Sequence, residues 1–222
     1  MERERKIITA ILFLLLLLWL GFSFHRDPRF AGSAFGGLLG ISATLFMLVP
    51  LAYSICKRFD PIKNSVTTRL PLTRLLSWHI YASLMGSALA ILHSGHRFNS
   101  WLGILLTAFM LLSVLSGYVC RYFFIYVSRE QKEHELVLVK SREAYALLGD
   151  TNGTSPIQID VSSLAQIVEV MADSQYVVEV YDSLKRKLHL WLSVHIWLSV
   201  IFYLLLILHI VAGIQFGLRW FS

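Results

Sequence analysis

Four histidines form two pairs with one spacing. His79 and His93 lie fourteen residues apart in one apolar stretch, and His195 and His209 lie fourteen apart in another. The flanks repeat too: Ser77-Trp78-His79-Ile80 with Ile91-Leu92-His93, then Ser193-Val194-His195-Ile196 with Ile207-Leu208-His209. On a helix, fourteen residues bring a side chain back to within about 40° of its first direction, about 21 Å further along the axis. Two such helices side by side would clamp two flat cofactors at different depths. Neutral imidazole is a good ligand for haem iron. Ionisable groups at membrane depth are costly and usually functional. Four ligands spread over about 21 Å cannot surround one zinc ion whose bonds are about 2 Å long.

The elements that must hold these histidines are membrane helices. Of 222 residues, 56% are hydrophobic and 15% charged, with a mean hydropathy of +0.62. A soluble chain of this size could not hide so much apolar surface. Runs of about twenty apolar residues cross the hydrocarbon layer as helices. The sequence predicts five: Ile7–Phe24, Phe35–Cys56, Leu75–Gly95, Trp101–Tyr126 and Leu190–Phe216. The first follows a basic N-terminus, but it is too long for a signal-peptide core and lacks a small-x-small cleavage pattern, so it is expected to be retained. The expected fold class is therefore all-α: an integral membrane bundle of five transmembrane helices with a cytoplasmic helical insertion between helices four and five. Residues 1–127 carry the first four helices, 128–188 the polar insertion and 189–222 the fifth helix.

Basic residues orient the chain. Arg3, Arg5 and Lys6, then Lys57, Arg58, Lys63, Arg69 and Arg74, mark the cytoplasmic side. Arg26, Arg29, Arg97 and Arg219 fall on the other side. The N-terminus is expected in the cytoplasm, the C-terminus outside, and the location in a bacterial inner membrane. The third and fifth helices then run parallel, which sets His79 beside His195 at the inner face and His93 beside His209 at the outer face. The net charge of +6 is explained by these helix ends meeting anionic lipid, not by nucleic acid. Cys56 and Cys120 both fall near the cytoplasmic side, where disulfides are rare. No C-x-x-C-H is present, so haem would be held by coordination alone, as haem b.

The 128–188 segment opens with the mixed-charge run Ser128–Glu133 and passes a turn-rich patch, Gly149–Pro156. It regains helical periodicity over Val161–Leu188, with Asp160 or Ser162 as N-cap candidates. It lacks a glycine-rich phosphate loop and offers either a docking surface for a cytoplasmic partner or a lid folded on the helix ends. Midway between the ligands, seven residues from each, stand Gly86 and Phe202. Gly86 is expected to make room and Phe202 to fill the gap between two macrocycles, or to pack as an ordinary core aromatic. Gly36, Gly37, Gly40 and Gly117 suit close approach of helices or porphyrin. Haem propionates need cations: Arg74, Arg121, Lys185, Arg186 and Lys187 at the inner face, Arg97 and Arg219 at the outer. Trp78, Trp101, Trp191 and Trp197 fit aromatic belts.

The paired H-x13-H pattern on parallel helices resembles the di-haem b-type cytochromes, and most closely the transmembrane domain of the ferric reductase and NADPH oxidase superfamily. The resemblance covers 75–96 and 189–216. It implies that His79, His93, His195 and His209 are axial ligands of two haem b groups. The chain stops at Ser222, without a flavin or nicotinamide domain, which departs from those reductases. The expected function is that of a cytochrome b subunit carrying electrons between quinone or quinol in the bilayer and a separate redox protein, within a respiratory oxidoreductase complex. A quinone pocket near the outer haem could use His25, His96 or Arg97. Direct reduction of an outside metal chelate is the alternative within that chemistry. A haem-free membrane anchor or transporter subunit is the alternative outside it.

Overall fold

The computed structural model describes residues 2–21, 30–95, 100–150 and 161–217. These residues are helical and contain no strand, as the all-α expectation requires. Six α-helices follow in order: α1 Glu2–Leu20, α2 Ala34–Arg58, α3 Asp60–Thr67, α4 Leu72–His93, α5 Trp101–Asp150 and α6 Val161–Ala212. Four of them, not five, are long and apolar enough to cross a membrane: α2, α4, α5 and α6.

The corrected span is the first. Glu2, Arg3, Glu4, Arg5 and Lys6 occupy the opening turns of α1, and the helix ends at Leu20. Its apolar part, 7–20, is about 21 Å long, short of a hydrocarbon layer about 30 Å thick. The expected continuation to Phe24 lies outside the described residues. Ile8, Leu12 and Leu15 are buried along one stripe of α1, while Phe13, Leu14 and Leu17 are exposed.

The chain divides into two compact units, Met1–Leu115 with Ile196–Ser222, and Ser116–His195. In the first unit, Leu15, Met47, Ile91, Met110, Leu111 and Phe202 form one core. They come from α1, α2, α4, the start of α5 and the end of α6. Small residues let α2 and α4 approach closely. A β-carbon on Gly86 would sit 3.1 Å from Met47 Cε and 3.2 Å from the Ala43 carbonyl. Pro50 lies inside α2 and cannot donate to the Phe46 carbonyl. Beside that break, the Tyr203 hydroxyl donates to the Met47 carbonyl at 2.7 Å, tying α6 to α2.

Local signals set the helix ends. Ser33 caps α2 by accepting from the Gly36 N–H at 3.0 Å. Gly95, with φ 53°, takes the left-handed conformation that stops α4 directly after His93. Between α2 and α4 the basic stretch folds in part as α3, which starts at Asp60-Pro61, a proline at the first turn and an acid at the N-terminus.

The second unit is an antiparallel helical hairpin. Ser116 meets Trp191 and His195, Phe124 meets His189, Gln131 meets Asp182 and His134 meets Tyr181. Partners descend along α6 as residues ascend along α5. The polar insertion is thus the distal part of α5 and the opening part of α6. The turn patch begins later than expected, since α5 includes Gly149 and Asp150. Thr151–Asp160, with the Asp160 cap candidate, lies outside the described residues. Ser162 falls inside α6, not at its cap. Gln131, 3% exposed, fixes the hairpin register by donating to Glu135 and Asp182, both at 2.8 Å.

Candidate haem-binding histidines

His93 is the last residue of α4, and His209 lies in the last turn of α6. Both ends are C-terminal, as parallel helices demand. The two ring centroids are 6.4 Å apart, with the ring planes at 81°. Two metal–nitrogen bonds of about 2 Å each, and about 1 Å from each ligating nitrogen to its ring centre, add to about 6 Å. The pair is therefore spaced to take one metal between its imidazoles. It is too far apart for a hydrogen bond between the rings.

The orientation of His93 is fixed from α2. Its Nδ1 lies 2.7 Å from the Gly36 carbonyl. A carbonyl only accepts, so Nδ1 carries the proton and the Nε2 lone pair is left for a metal. Gly40 makes room on the same helix: a β-carbon there would fall 2.9 Å from both Cε1 and Nδ1 of the His93 ring. Gly37, one helical step round, has open space. Gly40→Ala should therefore displace the His93 ring, whereas Gly37→Ala should leave it in place and stabilise α2 by up to about 1 kcal/mol. Thermal unfolding, with the His93 imidazole signal followed by NMR, checks both. An undisplaced His93 ring in Gly40→Ala would contradict this seat.

His195 belongs to the second unit and has its own seat. Its Nδ1 lies 2.9 Å from the Ser116 hydroxyl. A β-carbon on Gly117 would fall 3.0 Å from its Cε1. Trp191, one turn earlier on α6, donates its indole N–H to the Ser116 carbonyl at 3.3 Å. In the first unit His79 packs edge-on against Tyr53 of α2, with centroids 5.0 Å apart.

The other expected site residues are placed as follows. His79, Gly86 and His93 form one stripe of α4, and α2 runs antiparallel along it: Gly36 and Gly40 meet His93, Ala43 and Met47 meet Gly86, and Tyr53 meets His79. The room at Gly86 is thus taken up by α2. Phe202 is 5% exposed and stands in the core with Ile91, Met47 and Met110, edge-on to Tyr203 at 5.1 Å. Arg121 has a buried Nε with no acceptor among the described residues. It lies one turn after Gly117 on α5. Arg74 is exposed in the first turn of α4. Lys185 is half-buried, and Arg186 donates to Ser183 at 2.8 Å. Lys187 is exposed. His25, His96, Arg97 and Arg219 lie outside the described residues.

Sequence reasoning missed Ser116, Tyr53 and the bond made by Trp191. Its one available signal was the Ser116-Gly117 dipeptide, small and polar within an apolar run. No known protein family matches the chain, and no curated protein or solved structure is significantly similar to it.

Proposed function

We propose that this chain is a di-haem cytochrome b that carries electrons between the two faces of a membrane. The observation that carries the reading is the His93–His209 pair, 6.4 Å apart, with the His93 tautomer set by the Gly36 carbonyl. Haem, when bound, supplies one-electron chemistry at its iron. The chain's own residues do the rest. His93 and His209 would hold one group, and Gly40 keeps the His93 ring free of a steric clash. From their sequence spacing alone, His79 and His195 are proposed as ligands of the other. The Arg121 guanidinium suits an inner propionate, because its buried Nε needs an acceptor. From their sequence positions, Arg74, Lys185 and Arg186 are proposed to supply further positive charge on that side, and Arg97 on the other. Phe202 packs in the core of the first unit.

The electron donor is proposed to be a separate molecule. Quinol in the bilayer is the proposed small partner, and a separate redox protein, docked on the 128–188 hairpin, the proposed large one. A quinol gives up two electrons and two protons, which matches two one-electron sites. Each electron crossing the membrane works with or against about 2.3 kcal/mol per 100 mV. A short-chain quinol analogue added anaerobically to the purified oxidised protein should reduce the haem without any partner. Reduction only after a second protein is added would remove quinol from the proposal and leave the protein donor.

A further inference from the structure

We infer that Ser116 is a positioning residue that sets the tautomer and the donor strength of His195, and through it the reduction potential of one of the two haems. This inference rests on the di-haem reading. Three observations converge on Ser116. It is 4% exposed, so water does not compete for its hydroxyl. Its Oγ lies 2.9 Å from His195 Nδ1. Its carbonyl receives the Trp191 indole N–H at 3.3 Å, and Trp191 and His195 stand one turn apart on α6. The backbone and the hydroxyl of Ser116 are thus held by the same helix that carries the ligand. Gly117 closes the seat, since a β-carbon there would crowd the imidazole at 3.0 Å.

The chemistry follows from the imidazole. When His195 binds metal through Nε2, Nδ1 must carry the proton, and the Ser116 oxygen accepts it. That bond draws the ring toward imidazolate character and makes it a stronger donor to the metal. A stronger donor favours the oxidised iron and lowers the potential. Without the hydroxyl, Nδ1–H loses this hydrogen bond, the ligand weakens and the potential rises. His93 differs, because its acceptor is the Gly36 carbonyl, which no side-chain substitution removes. The two haems therefore answer differently to one mutation.

The test uses the full chain, purified as wild type, Ser116→Ala and Ser116→Thr. Midpoint potentials are followed optically, with low-temperature electron paramagnetic resonance of the oxidised samples. In Ser116→Ala one haem should shift to higher potential with a changed resonance, and its affinity should fall about 10–100-fold. The other haem should keep its potential and its content, which shows that the chain is folded. Ser116→Thr, which keeps the hydroxyl, should restore the shifted haem. Unmoved potentials in Ser116→Ala, equal shifts of both haems, or loss of the same haem in both variants would overturn the inference. A wild-type protein that binds no haem would overturn the underlying reading, and this inference with it.

Discussion

Replacing His209 with alanine is expected to remove one of the two haems proposed for this chain, leaving about half the wild-type content and one resolvable potential. The same loss is expected for His93→Ala. His93 and His209 face each other across 6.4 Å, so neither ring has a substitute at that position among the described residues. Neither is a core residue: both are only partly buried, so truncation should leave the fold standing. The remaining haem then reports that the protein is intact. Haem content per chain in both variants checks this. If His93→Ala keeps its haem and His96→Ala loses it, the ligand lies three residues further along. If His209→Ala keeps both haems, the pairing is wrong.

Replacing Phe202 with alanine is expected to destabilise the whole first unit. The ring is 5% exposed and touches a core built from five helices. In lipid the transfer term is small, because the surroundings are as apolar as the core. The cavity term remains, at about 24 cal/mol per Å3 over a void of about 100 Å3, or about 2 kcal/mol. Thermal unfolding in detergent should move to lower temperature, and any haem held by the first unit, as proposed, should be released with it. Phe202→Leu, which nearly conserves volume, should recover most of the stability. A Phe202→Ala protein of unchanged stability that differs only in electron transfer between the haems would contradict the packing role. It would favour the sequence expectation that this ring fills a gap between two macrocycles.

Much of the architecture is legible in the residues. The apolar runs mark α2, α4, α5 and α6, and helical periodicity after 161 marks a second piece that continues without a break into the last apolar run. The first run falls short because charged residues fill its opening turns. With Glu2–Lys6 in its opening turns and an end at Leu20, too little apolar length remains. The equal spacing of the histidines is visible, but their supports are not. The Gly36 carbonyl that aims His93 belongs to the backbone, and backbone groups leave no letter in a sequence. Gly40 and Gly117 were visible as glycines, yet only the structure shows that the space they leave is filled by imidazole. Gly86 carries the opposite lesson: its position on the histidine stripe suggested room for a cofactor, and α2 occupies it. Trp191 reads as a belt residue until its indole is seen donating to Ser116.

The proposed coupling of imidazoles around iron is tested most directly by the reduced-minus-oxidised spectrum of the purified full chain, calibrated for haem per polypeptide. Two low-spin haem b groups per chain are expected. A colourless protein, expressed with haem available and folded by circular dichroism, would contradict it.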